Sequence, residues 1–175
     1  MRSARGCKIA RQGLHALAAS CLWAAASGMA FAGCTVSSSG LAFGAYQPLT
    51  FPGKLTSSDV TSTAGISVVC TGIVTGGSLT VSLGAGSYGS GDRISTRYMG
   101  NIAKGGAYMG YNLYTDAGYA TVWGNGTTGA LLNGSIPTGA SDQSLTVYGR
   151  IPAGQNTLKA GNFSDTLTMT LTYNP

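Results

Sequence analysis

Glutamate is missing from all 175 residues, and the only histidine, His15, lies near the start. The acidic residues are five aspartates, and charged residues of both signs make up 9% of the chain. General acid–base catalysis near neutrality draws mostly on His, Glu, Asp or Lys, and Asp59, Asp92, Asp116, Asp142 and Asp165 are spread so that no two share a strand-length segment. Most stand beside Gly or Ser, and Asp92, Asp116 and Asp142 are expected as turn formers. No G-x-S-x-G elbow occurs, and no histidine is placed to activate a serine. A structural metal site needs more ligands than these cysteines and aspartates offer. The expectation is a protein without catalytic, metal or cofactor chemistry.

Long apolar runs are also scarce, apart from one. Arg2, Arg5, Lys8 and Arg11 form a basic start, Leu14 to Ala30 an alanine-rich apolar stretch, and Ala30-Phe31-Ala32 a small-x-small site. This is the pattern of a secretory signal, residues 1–32, cleaved after Ala32. The stretch is short for a membrane span and carries His15, Ser20 and Ser27, so no stable membrane anchor is expected. Removing it leaves six Lys and Arg against five Asp, a net charge of +1 over residues 33–175. Lys54, Arg93, Arg97, Lys104, Arg150 and Lys159 are scattered, so no basic patch suggests nucleic acid.

Cys34 and Cys70 remain beyond the leader. In an oxidising compartment an even pair is most simply one disulfide. Phe31-Ala32-Gly33-Cys34 resembles a lipoprotein box only faintly, since Phe31 stands where such boxes want an aliphatic residue.

Residues 33–175 hold 25 glycines, many Thr and Ser, and nine tyrosines, a mix that favours short strands and tight turns. Strands are predicted at Leu41–Gly44, Ile66–Thr71, Ser78–Leu83, Ala107–Thr115, Ala120–Trp123, Ser144–Ile151 and Asp165–Tyr173, with loops at 50–65, 84–91 and 129–139. Gly124-Asn125-Gly126 is a hairpin signal. Gly84-Ala85-Gly86-Ser87-Tyr88-Gly89 matches G-x-G-x-x-G, but Ser90-Gly91-Asp92 follows instead of a helix, which leaves it a loop. Asn125, Asn133 and Asn162 open N-x-S/T triplets in ordinary turn contexts. Seven or eight short strands without a helical period indicate an all-β domain, a two-sheet sandwich or a closed barrel.

The last strand alternates cleanly, Leu167, Met169, Leu171 and Tyr173 on one side against Thr166, Thr168, Thr170 and Thr172 on the other. It ends two residues before Pro175, so no later strand of this chain can pair with it. An open edge beside an apolar face invites another chain, and strand donation between chains is one established answer.

Several stretches together resemble the spore coat protein U domain shared by archaic (Csu-type) chaperone–usher pilins. They are Cys34-Thr35-Val36 with Leu41-Ala42-Phe43-Gly44-Ala45-Tyr46, Ile66 to Thr71, Tyr111 to Asp116, Trp123 to Thr127, Thr146 to Gln155, and Ala160 to Leu167. The resemblance implies an immunoglobulin-like β-sandwich lacking its last strand, which a periplasmic chaperone and then another pilin subunit supply after export through an outer-membrane usher. It implies a donor-strand groove bounded by Leu167, Met169, Leu171 and Tyr173 opposite Leu41 and Phe43, and a Cys34–Cys70 disulfide. With cleavage after Ala32 only Gly33 precedes Cys34, so the subunit would accept a strand without donating one, as a terminal or tip-proximal unit of a surface pilus in adhesion or biofilm formation. Two other readings stand beside this: a secreted coat or matrix protein of the same fold, and a carbohydrate-binding tip module with a ligand patch of Tyr108, Tyr111, Tyr114, Tyr119 and Trp123.

Overall fold

A computed structural model describes residues 33–54, 56–88, 93–101 and 107–175. The signal segment, Asp92 and Lys104 lie outside the described residues. Eight strands appear in chain order: β1 Gly33–Ser38, β2 Val60–Ile73, β3 Gly77–Leu83, β4 Arg97–Asn101, β5 Ala107–Tyr114, β6 Leu132–Ile136, β7 Gly139–Ile151 and β8 Met169–Asn174. They form a five-stranded sheet, β1-β2-β7-β5-β4, and a three-stranded sheet, β6-β3-β8, with antiparallel pairing throughout. The described chain is an all-β sandwich without a helix.

Alternation explains the two layers. Ile66, Val68 and Cys70 of β2 and Val147 and Ile151 of β7 face inward and are buried, as are Leu79, Val81 and Leu83 of β3. Trp123 fills the centre, and its indole N–H donates to the carbonyl of Val81, which satisfies the one polar atom that the ring brings inside. Cys34 and Cys70 sit opposite each other in the β1–β2 register and are joined by a disulfide, which ties β1 to the sheet.

Arg97 is wholly buried. Its guanidinium donates to the carbonyls of Gly84, Leu83 and Trp123 and to Oδ1 of Asn112, while Asn112 in turn donates to Ile94 and Ser95. A planar fork with five donors suits this work, since it closes several orphan carbonyls at once.

Several expected boundaries move. Residues 50–65 are not all loop, because β2 begins at Val60, and β7 begins at Gly139 instead of Ser144. The loop expected at 129–139 contains β6, while β4 was not anticipated. Leu41–Gly44 is not a strand: Gly40 and Gly44 both have φ 75, left-handed conformations that interrupt an extended ladder. Ala120–Trp123 reduces to isolated bridges, and the Asn125 turn links Trp123 to Ala130 in parallel, not as a hairpin. Asp116 is the expected turn former, its carboxylate accepting the backbone N–H groups of Gly118, Ala120 and Thr121. These bonds hold its pKa below the usual carboxylate range. Asp142 lies within β7, where it accepts from the Ser67 hydroxyl, because its neighbours continue the alternation of a long strand.

Candidate functional site

β8 has one partner. It pairs with β3 through Leu83↔Met169, Val81↔Leu171 and Leu79↔Tyr173. The apolar residues of β3 in these pairs are sealed, whereas Met169, Leu171 and Tyr173 remain half-buried. The difference belongs to position in the sheet, since β3 has strands on both sides and β8 is an outer strand.

Beside β8 an open cleft of about 1190 Å³ enters the sandwich. One wall is the segment 38–49 that follows β1, and the other is the segment 156–169 that leads into β8. Core side chains form the floor: Ile66, Leu83, Tyr111, Leu113, Val147 and Trp123. Leu41 and Phe43 rest on Gly149, where a Cβ would stand 2.8 Å from both side chains. Phe43 also meets Tyr111 edge-on at 6.0 Å.

A tyrosine hydroxyl fastens each wall. Tyr46 donates to the carbonyl of Pro152 at 2.8 Å and accepts from the N–H of Gln155. Tyr111 donates to Asp165 at 2.6 Å, and the other oxygen of that carboxylate accepts the N–H groups of Ser87 and Thr166. Burial above all, then the bond to Asp165, pushes the Tyr111 hydroxyl well above the usual tyrosine range. Further along, Ser164 and Gly100 exchange backbone hydrogen bonds, so the second wall also covers the outer side of β4. Hydrogen bonds thus tie both wall segments to the rest of the sandwich.

Of the residues expected at the groove, Leu41, Phe43, Leu167 and Met169 line the cleft. Leu171 and Tyr173 lie beyond its end, packed on the core where β8 approaches β1 without pairing. Tyr173 is anchored there by donating to the carbonyl of Thr75. The five residues of the candidate ligand patch are not brought together on a surface. Tyr111 and Trp123 are buried at 4% and 1% exposure because both point between the sheets, and Tyr114 meets Tyr119 edge-on while Tyr108 meets Tyr88.

Tyr46 and Asp165 were missed as cleft residues, and Gly149 as the seat of Leu41 and Phe43, although all three fall in the stretches that carry the family resemblance. Their roles are contacts between distant segments, for which spacing along the chain gives no signal. Among the described residues there is no cluster of metal-ligating side chains and no helix long and apolar enough to cross a membrane.

The class that the fold and the site define is a disulfide-tied β-sandwich with a cleft beside an outer strand. Residues 21–170 match the family model described as Spore Coat Protein U domain, and the chain belongs to that family. The family is one of surface structural proteins, fimbrial and coat, and is not enzymatic. No curated protein gives a significant match.

Proposed function

We propose that this protein is an exported subunit of a surface pilus, assembled by a chaperone–usher route through donor-strand complementation. The observation that carries this reading is the cleft: an apolar opening into the core, bounded on one side by Leu167 of the segment that leads into β8 and by Met169 at the edge of the second sheet. A strand with alternating apolar side chains is the ligand that this shape and edge fit, since it supplies both backbone pairing and side chains for the floor. A periplasmic chaperone would lend that strand first, and another pilin subunit would replace it beyond the outer-membrane usher. With the leader cut after Ala32 the subunit receives a strand and occupies an end of the fibre; N-terminal sequencing of the exported protein tests that point.

The decisive experiment is periplasmic expression with and without the chaperone encoded nearest the gene. The expected result is aggregation or proteolysis alone and a one-to-one soluble complex with the chaperone. A stable, cooperative monomer that captures neither chaperone nor donor peptide would overturn the proposal, and a chaperone-independent self-assembly would favour a coat protein.

A further inference from the structure

Along residues 33–48 the side that faces the core changes twice. On β1 the even-numbered Cys34 and Val36 pack on the core, and further along Tyr46 does so again. Between them the odd-numbered Leu41 and Phe43 take the inward side, and Ala42 is exposed. Gly40 and Gly44 bracket that stretch, both at φ 75, and a Cβ on either would meet nothing within 4 Å. Their left-handed backbone, not a lack of room, is what requires glycine there. Each reverses which side of the chain faces inward, as a one-residue slip does in a strand.

The ladder between β1 and β2 ends at Ser38↔Ile66, and the N–H of Ser39 still donates to the carbonyl of Gly65. Continued in that register, Leu41 would oppose Thr63 and Phe43 would oppose Thr61 as hydrogen-bonded pairs. Among the described residues no backbone hydrogen bond joins 41–44 to 60–63. The Ser62 hydroxyl holds the two segments together instead, donating to the carbonyl of Ala42 at 2.7 Å. The continued register needs neither left-handed glycine. It turns the small residues Gly40, Ala42 and Gly44 towards the core and swings Leu41 and Phe43 outward, off their seat on Gly149. Both ends stay anchored, Ser39 on β2 and Tyr46 on Pro152.

We propose that residues 40–44 are a two-register strap: Leu41 and Phe43 cover the cleft floor in the chain on its own, and an added strand drives the strap into the β2 ladder. Its use rests on the strand-accepting reading above. The two registers exchange terms of comparable size, the burial of two apolar side chains against a few ladder hydrogen bonds. An incoming strand tips the balance because its own apolar side chains take over the cover, so it binds the laddered register better. The small inward residues leave it the room.

The test is residue-resolved hydrogen exchange of the exported protein by NMR, with and without a synthetic peptide of alternating apolar residues. The peptide should slow exchange at Leu41, Phe43, Thr61 and Thr63 by about tenfold or more. A Cβ at position 40 disfavours the left-handed backbone, so Gly40→Ala should slow the same amides roughly tenfold without peptide. It should also tighten peptide binding, read by calorimetry, by up to about that factor. Gly149→Ala, whose Cβ would stand 2.8 Å from Leu41 and Phe43, should act in the same direction. Gly53→Ala is the control: Gly53 has φ 74 and equally open surroundings but lies outside the strap, so these amides should exchange as in wild type. Wild-type exchange in both Gly40→Ala and Gly149→Ala overturns the strap. A peptide that binds and leaves Thr61 and Thr63 unprotected also overturns it, while the strand-accepting reading stands. Slowed exchange in a Gly40→Ala protein that binds no peptide keeps the strap and sinks that reading instead.

Discussion

Met169→Asp tests whether the cleft receives a strand. Met169 lines the cleft, pairs with Leu83 and is half-buried on the core. A donor strand would complete the burial of Leu167 and Met169, about 1 kcal/mol each for the part still exposed. It would also add ladder hydrogen bonds of about 1 kcal/mol apiece along β8. An aspartate at 169 would face the incoming apolar side chains, and burying that unpaired carboxylate costs several kcal/mol. Taking about 4 kcal/mol, donor affinity should fall roughly a thousandfold. One substitution therefore cancels several favourable contacts. The assay is the urea unfolding midpoint with and without a synthetic peptide of alternating apolar residues, alongside chaperone capture in the periplasm. Thr170→Asp is the control, because Thr170 is exposed on the opposite face of the same strand. Met169→Leu should behave as wild type. Equal peptide stabilisation of the Met169→Asp and Thr170→Asp proteins would refute the reasoning, because the charge would then be nowhere near the added strand.

Three further predictions concern the frame. Replacing Cys34 and Cys70 together with serine opens a loop with a sequence separation of 36, and the chain-entropy model gives a loss of roughly 3.5–4 kcal/mol; denaturant titration measures it, and non-reducing peptide mapping of wild type should show the bridge and no lipid on Cys34. Arg97→Lys should cost about 3 kcal/mol or more, because an ammonium cannot reach the three carbonyls and the Asn112 oxygen that the guanidinium fork engages; retention of the wild-type midpoint would show that the fork is dispensable. The raised Tyr111 pKa keeps the phenol protonated in the folded state, so its contribution is complete below about pH 10, the unfolded value, and declines as pH rises from there towards the folded value; Tyr111→Phe should flatten that alkaline decline, read as unfolding midpoint against pH.

The fold class was legible because alternation is a local signal. Leu79, Val81 and Leu83 are read from the sequence as one face and are found as one buried face of β3. The end of the chain was legible for the same reason, since the alternation of Leu167 to Tyr173 survives even where the ladder begins only at Met169. Leu41–Gly44 misled because its composition suits a strand while Gly40 and Gly44 take left-handed conformations that composition does not report. β4 was hidden by its content, with an inward arginine where an alternating pattern calls for an apolar residue. Trp123 and Tyr111 were ambiguous by type, as aromatic residues serve cores and surfaces alike, and only the packing assigns them. The cleft itself depends on latches between distant segments, Tyr46 with Pro152 and Tyr111 with Asp165, and sequence spacing carries no trace of them.

The edges of the two sheets bear on where an added strand would pair. Four strands are outermost: β1 and β4 in one sheet, β6 and β8 in the other. Each presents backbone groups that could template unwanted pairing. β4 is bridged on its outer side by Ser164, which both donates to and accepts from Gly100. β6 has Gln143 of β7 donating to the carbonyl of Ser135, so part of its backbone is engaged by a side chain. Among the described residues β1 and β8 have ladder partners on one side each, β2 and β3. They approach one another at one end, and at the other the chain parts into the cleft walls, 38–49 after β1 and 156–169 before β8. A strand entering there meets a free edge of the second sheet and the core side chains at once. The same strand laid against β4 would first have to displace Ser164. The bridge on β4 and the open cleft beside β8 thus favour β8 as the edge at which an added strand would pair.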